Sequence, residues 1–339
     1  MASTKAFTGF VWVVLVTIFL VIIAGSVVRT TQSGMGCPDW PTCFGSAIPP
    51  TDTAQVMFLP NHPYKKGQFI IHNDSLKYAK EKFTSSITYS PENWKQYEKH
   101  NYAKFTVINT WIEYINRLLG ALLGLLILAQ VVWGFIHYKK LNNIVLLSIG
   151  LVLLTGFQAW LGKTVVDSHL ALLKITLHMF GALLMVFLSQ YILFLIKGKQ
   201  KVSAPTNVLG ATYILGVLIV SQLIIGTDVR GQIDNLVEHS ANINRSGWIA
   251  LLNSSFYIHK TFAGLIAGLA LYSTILASTN KAASTLVKRV LWVVLLEVIV
   301  GFALAYVDFP KAAQPMHLLL ASVMAALVFA NVLKLKKLV

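Results

Sequence analysis

The chain has 339 residues, of which 55% are hydrophobic and only 12% charged, roughly half the charged share of a soluble domain. Repeated apolar runs of about 20 residues without alternating barrel patterning leave a helical membrane bundle as the spanning fold. The net charge of +15 does not point to nucleic acid, because the basic residues sit in particular connections between those runs.

Eight runs follow one another, at approximately 7–28, 106–136, 144–162, 171–196, 208–226, 255–278, 290–306 and 315–333. The predicted fold class is therefore an all-α membrane protein with eight transmembrane helices. The first run has Lys5 ahead of it, yet it is too long for a signal-peptide core and no small-residue cleavage site follows. It is read as a retained helix ending in Gly25-x-x-Val28-Arg29.

The connection that follows, 30–105, is long for a loop and is expected to carry short helices of its own. It opens with Gly36-Cys37-Pro38-Asp39-Trp40-Pro41-Thr42-Cys43 and holds the chain's two cysteines. Two neighbouring cysteines in an oxidising compartment form a disulfide staple or a redox-active thiol pair. Their spacing matches neither a haem-attachment motif nor a zinc site. His62, His72 and His100 in the same connection read as surface residues without a role.

The second run opens with Trp111-Ile112-Glu113-Tyr114-Ile115-Asn116-Arg117. Glu113 and Asn116 share a helix face, and Glu113 can pair with Arg117 four residues on. The pair either caps a helix end or serves a function, since ionisable groups inside a membrane are costly. Further along, the same phrases return. Tyr257-Ile258-His259-Lys260 matches Tyr114-Ile115-Asn116-Arg117, with Phe256 standing where the first copy has Glu113. Gly226-x-x-Val229-Arg230 matches the end of the first run. Gln158-x-x-Leu161-Gly162 with His178 matches Glu297-x-x-Val300-Gly301 with His317. Each copy has four spans, so the copies are expected to be parallel four-helix repeats, with domains at 1–200 and 201–339.

Lys139, Lys140, Lys197, Lys199, Lys201, Lys281, Lys288, Arg289, Lys334, Lys336 and Lys337 fall in alternate connections and the C-terminal tail. This pattern puts both termini in the cytoplasm and the connections 30–105, 163–170, 227–254 and 307–314 on the outer side. His178, His259 and His317 then share one depth near the outer ends of their helices. Two histidines on facing helices of an apolar bundle fit a haem iron better than zinc or di-iron. His259 and His317 form such a pair, while the first copy offers Asn116 and His178. Gly120, Gly124, Gly134, Gly162, Gly181, Gly264, Gly268 and Gly301 allow close helix approach or leave room for a flat macrocycle. Arg29, Arg117, Arg230 and Lys260 either neutralise haem propionates or snorkel to headgroups.

With these residues in place, the chain resembles the haem A synthase family, eight-helix membrane enzymes that supply haem A to terminal oxidases. The resemblance rests on Gly25 to Arg29, Thr31 to Cys43, Glu113 to Arg117, Gln158-x-x-Leu161-Gly162, and His178, His259 and His317. It implies a haem b cofactor on His259 and His317, and haem O bound as substrate in the first half. It further implies Glu113 as the catalytic carboxylate, Cys37 and Cys43 as the family's cysteine pair, and oxidation of the C8 methyl of haem O to a formyl group by successive hydroxylation. The implied partners are a haem O synthase and an unidentified electron donor, in the bilayer of a bacterial cell membrane. This chain lacks the second outer cysteine pair that family members often carry, and it has Asn116 where the family typically has a second histidine. Asn116 then leaves the substrate iron on His178 alone with an open side, or marks a degraded site. The competing readings are a non-enzymatic dihaem cytochrome in quinol-linked electron transfer and a haem-handling membrane protein.

Overall fold

A computed structural model describes residues 2–99, 103–139, 141–239 and 245–337; His100 and Lys140 lie outside the described residues. Among these, eight helices are long and apolar enough to cross a membrane. They are α1 (Ala2–Thr30), α2 (Val107–Tyr138), α3 (Asn143–Asp167), α4 (Leu172–Ile196), α5 (Thr206–His239), α6 (Ser254–Leu276), α7 (Lys281–Tyr306) and α8 (Ala313–Lys334). The all-α membrane fold expected from the apolar runs is the observed one.

Two helices run past their apolar stretches. α5 was expected to end near Arg230 and continues to His239. Beyond Gly226 the helix is held by spacing rather than by hydropathy: Gln232 donates to Asp228 Oδ2 at 2.9 Å, and Arg230 pairs with Asp234 at 2.7 Å. These i,i+4 contacts line the polar side, while Ile233 packs with Trp248, Leu252, Phe256 and Phe309. α7 begins at Lys281 rather than near 290 because Asn280 caps it, its side chain accepting the Ala283 N–H.

The long 30–105 connection meets the expectation of short helices only in part. It has two 3₁₀ turns, but its body is antiparallel β-structure. Its strands are β1 (Pro63–Tyr64), β2 (Phe69–His72), β3 (Ser75–Ala79), β4 (Phe83–Thr84) and β5 (Trp94–Gln96). β1 pairs with β4, and β2, β3 and β5 form a three-stranded sheet in the order β2-β3-β5. The hairpin between β2 and β3 turns on Asn73 and Asp74, both with positive φ, at 52° and 53°. Such two-residue turns favour asparagine and aspartate, and this one sets the register of His72 opposite Ser75. Side chains alternate across the sheet. Phe69 and Leu76 join a cluster with Cys37, Cys43, Phe44, Val56 and Tyr97, while Ile70 and Ala79 join one with Tyr64 and Trp94.

The chain divides into two compact units. One comprises Met1–Ile23, Leu125–Leu154 and Met179–Val339, and the other Ala24–Gly124 and Thr155–His178. The larger unit centres on apolar residues of α5 to α8 together with Leu183 of α4, including Leu215, Ile219, Ile266, Val290, Val294 and Met324. At one end of it β6 (Val202–Ala204) and β7 (Leu335–Lys337) pair in parallel. The smaller unit holds the β-structure, the cysteine segment and the residues from Glu113 to Arg117.

Candidate functional site

In the smaller unit, Glu113 and Arg117 lie on one face of α2 and grip the cysteine segment. Cys37 and Cys43 are joined by a disulfide with Cα atoms 4.8 Å apart, so the bonded state is the one observed. Arg117 donates to the carbonyls of Asp39 at 2.7 Å, Thr42 at 2.9 Å and Cys37 at 3.4 Å, and also to Glu113 Oε1. The other carboxylate oxygen, Glu113 Oε2, accepts the Cys37 N–H at 2.8 Å. Glu113 is 3% exposed. A buried carboxylate of this kind is tolerable only with its charge paired and its oxygens bonded, and both conditions hold.

The segment comes this close because Gly36 has no side chain: a Cβ there would sit 2.6 Å from the Asn109 carbonyl oxygen. Thr110 Oγ1 donates to the Gly36 carbonyl at 2.8 Å. Asp39 Oδ2 accepts from Thr42 Oγ1 and from the Gly45 N–H. From the β-structured connection, Tyr97 donates its hydroxyl to the Pro38 carbonyl at 3.0 Å. Burial pushes the Tyr97 phenol above its ordinary pKa, which keeps it a donor.

Asn116 and His178 belong to the same unit. Asn116 Oδ1 and His178 Nδ1 are buried without a hydrogen-bond partner, as are both polar atoms of the Gln158 amide. Unpaired buried polar atoms are expensive and call for an explanation such as a ligand. A Cβ on Gly162 would lie 3.5 Å from His178 Cε1, and one on Gly25 would lie 3.9 Å from Asn116 Oδ1.

In the larger unit, His259 of α6 and His317 of α8 face each other, with ring centroids 6.2 Å apart and ring planes at 68°. A Cβ on Gly226 would lie 3.0 Å from His259 Cε1, and one on Gly301 would lie 3.2 Å from His317 Cε1. His317 Nδ1 lies 3.2 Å from Glu297 Oε1, and Gln222 Nε2 donates to the His259 carbonyl at 2.9 Å.

Three further candidates have partners of their own. Arg230 pairs with Asp234 and donates to Gln314 Oε1. Lys260 donates to the Tyr306 hydroxyl at 2.7 Å. Arg29 is in the last turn of α1. Two features escaped the reading of the sequence. One is that the glycine of each repeated phrase backs one of Asn116, His178, His259 and His317; the recurrence of those glycines was the available signal. The other is the Glu297–His317 contact, foreshadowed by the shared spacing of Gln158 to His178 and Glu297 to His317.

Residues 8–90 and 67–329 match the family model of the cytochrome oxidase assembly proteins, COX15-CtaA. The chain belongs to this family. Three relatives named haem A synthase are similar to it. The one from Wolbachia pipientis subsp. Culex pipiens is 23% identical over 333 residues, covering 91% of each chain. The one from Shewanella oneidensis is 26% identical over 196 residues, covering 58% of this chain and 47% of that protein. The one from Ehrlichia canis is 26% identical over 223 residues, covering 63% and 56%. This chain thus matches about half the length of the latter two and nearly all of the first.

Proposed function

We propose that this chain is a haem A synthase, taking haem O as substrate and oxidising its C8 methyl group to a formyl group by successive hydroxylation. Each hydroxylation would put one oxygen atom of O₂ on the methyl carbon and reduce the other to water with two electrons and two protons from the electron donor, and loss of water from the second product leaves the formyl group. The observation that carries the reading is the inequality of two otherwise matching pockets, in a chain that belongs to the cytochrome oxidase assembly family. One pocket has two facing histidines; the other has Asn116, His178 and, on the Asn116 helix face, Glu113.

The facing pair fits a haem b cofactor. Two imidazoles that each gave one nitrogen to a shared metal would have ring centroids about 6 Å apart. The observed 6.2 Å agrees. His259 and His317 would hold the iron, Arg230 and Lys260 are proposed to face its propionates, and Arg29 is the matching candidate for those of the substrate haem. Bound there, haem b supplies a one-electron redox centre. Glycine at 226 and 301 lets each ring lie against the neighbouring helix, which limits its rotation.

In the other pocket His178 is the proposed ligand of the substrate iron, and Asn116 offers a hydrogen bond on the opposite, open side. Glu113 is the proposed proton acceptor near the reacting methyl. Arg117 and the Cys37 N–H fix its orientation, and a carboxylate has about four lone-pair sites, so both bonds leave room to accept another. The 1–200 and 201–339 halves are read as parallel repeats specialised for substrate and cofactor. Both termini are placed in the cytoplasm and both pockets towards the outer side. A haem O synthase and an electron donor are the proposed partners.

A second reading of Glu113, as a clamp, is favoured by one observation: both its oxygens are already engaged, Oε2 by the Cys37 N–H and Oε1 by Arg117, which itself holds the cysteine segment. The test is co-expression with a source of haem O, followed by extraction and chromatography of the haems. Haem A in the extract supports the enzyme; haem b alone supports a cytochrome, and unconverted haem O a haem-handling protein. Glu113→Ala is expected to cut conversion by about 10²–10⁴-fold while the haem b spectrum and the Cys37–Cys43 disulfide persist. Unchanged conversion in that variant would leave Glu113 as a clamp only.

A further inference from the structure

The two pockets differ again one step further from the ligands. The (Gln/Glu)-x-x-(Leu/Val)-Gly phrase precedes His178 as Gln158 and His317 as Glu297, at the same distance along the chain. In the larger unit the carboxylate reaches the ring, with Glu297 Oε1 3.2 Å from His317 Nδ1. In the smaller unit neither polar atom of Gln158 has a hydrogen-bond partner, and His178 Nδ1 has none. A neutral amide therefore accompanies one histidine and a carboxylate the other.

Glu297 is a carboxylate in the middle of a membrane helix, where ionisable groups are costly and mark function. Its side chain is 13% exposed, and among the described residues its ion-pair contact is with His317 alone. Its second oxygen is buried without a partner. A packing role alone would be met at lower cost by an amide or an apolar residue.

We propose that Glu297 is a positioning residue for His317 that lowers the reduction potential of the haem held by His259 and His317. This rests on the reading of that pair as a haem b site. With Nδ1 turned to Glu297, Nε2 is the nitrogen left for iron, so the carboxylate selects the tautomer and the ring orientation. Donating Nδ1–H to a carboxylate makes the imidazole a more electron-rich ligand, as outer-shell carboxylates do for metal-bound histidines. A richer ligand stabilises ferric over ferrous iron. The contact is at ion-pair distance without hydrogen-bond alignment, and such contacts tighten when a site is filled. Glu297 thus biases one pocket towards electron release, and Gln158 leaves the other without that bias.

The test is a mediated redox titration of the purified full-length protein carrying its own haem. Glu297→Gln keeps the size and one acceptor oxygen but removes the charge. It is expected to retain the low-spin bis-histidine spectrum while the ferrous-to-ferric ratio rises about tenfold at the wild-type midpoint, a shift of about 59 mV for a one-electron couple. Glu297→Asp, which restores the charge, is expected to return towards wild type. A retained spectrum with an unmoved midpoint in Glu297→Gln overturns the proposal. Should that variant not accumulate, electron paramagnetic resonance of the ferric wild-type protein decides. A compressed g-spread, the mark of imidazolate character, supports the role, and the spread of a neutral bis-imidazole haem overturns it. His317→Ala separates this inference from its basis. If it keeps the low-spin spectrum, the ligand assignment itself falls; if it loses that spectrum while Glu297→Gln leaves the midpoint in place, only the role of Glu297 falls.

Discussion

The group around His259 and His317 and the group around Asn116 and His178 share a frame and one histidine, and differ in the polar groups beside it: Asn116 against His259, and Gln158 against Glu297. In each, a glycine from one repeated phrase backs the residue on the even-numbered helix nearer the start of its half, and a glycine from another backs the second. Into that frame one pocket puts two rings at 6.2 Å with a carboxylate behind one of them. The other has Asn116 and a single histidine, His178, with a carboxylate at Glu113 where the first has the apolar Phe256. On the proposed function, the frame would leave room for a flat ligand and the substitutions within it would decide what happens to that ligand. Symmetric ligation suits a centre that cycles electrons without changing its ligands. A one-sided pocket with a fixed carboxylate suits a ligand that is altered and released.

The largest expected effect tests the symmetric pocket. Losing an outer-shell partner costs a metal site about 10–100-fold in affinity, and losing an axial ligand costs more. His259→Ala should therefore purify without its low-spin haem b absorbance, whereas Asn116→Ala should retain it. Reduced-minus-oxidised spectra of membranes from the two strains give the answer, and equal haem b content in both would remove the distinction between the pockets. A smaller effect is expected from making the pockets alike. Asn116→His restores the matching histidine. In haem O-loaded protein it should yield a six-coordinate bis-histidine spectrum from the first pocket and slow the formation of haem A. An unaltered spectrum would mean that position 116 does not face the iron.

Much of this contrast was legible in the sequence, for a physical reason. Hydropathy and helix period act over a turn or two, so the eight spans and the shared face of Glu113, Asn116 and Arg117 follow from spacing alone. The i,i+4 pairing of Glu113 with Arg117 is observed. What spacing cannot encode is contact between segments far apart in the chain. Arg117 reaching three carbonyls of the cysteine segment, and Glu113 accepting the Cys37 N–H, depend on how the 30–49 stretch folds back. The β-structure of the 30–105 connection escaped because its strands are two to five residues long and their polar flanks resemble a loop. The extension of α5 to His239 escaped because hydropathy falls where side-chain pairing takes over.

The smallest effect reaches the frame itself, through glycines that hold the same place in their phrases but meet different neighbours. At Gly226 an added methyl group meets the His259 ring at 3.0 Å, tighter than ordinary contact; at Gly25 it meets Asn116 Oδ1 at 3.9 Å. Overpacking costs about 1–3 kcal/mol, and alanine in place of glycine within a helix returns about 1 kcal/mol. Gly226→Ala is therefore expected to lose stability by up to about 2 kcal/mol on those terms and to broaden the haem b bands as the ring is pushed aside. Gly25→Ala should be neutral or slightly stabilising. Thermal melts of the two purified variants, read beside their haem b spectra, compare them directly. Equal losses in both would mean that the glycines serve helix approach in general. A loss confined to Gly226→Ala would tie its glycine to the orientation of one ligand ring, and the looser contact at Gly25 would then reflect the replacement of a ring by the smaller Asn116.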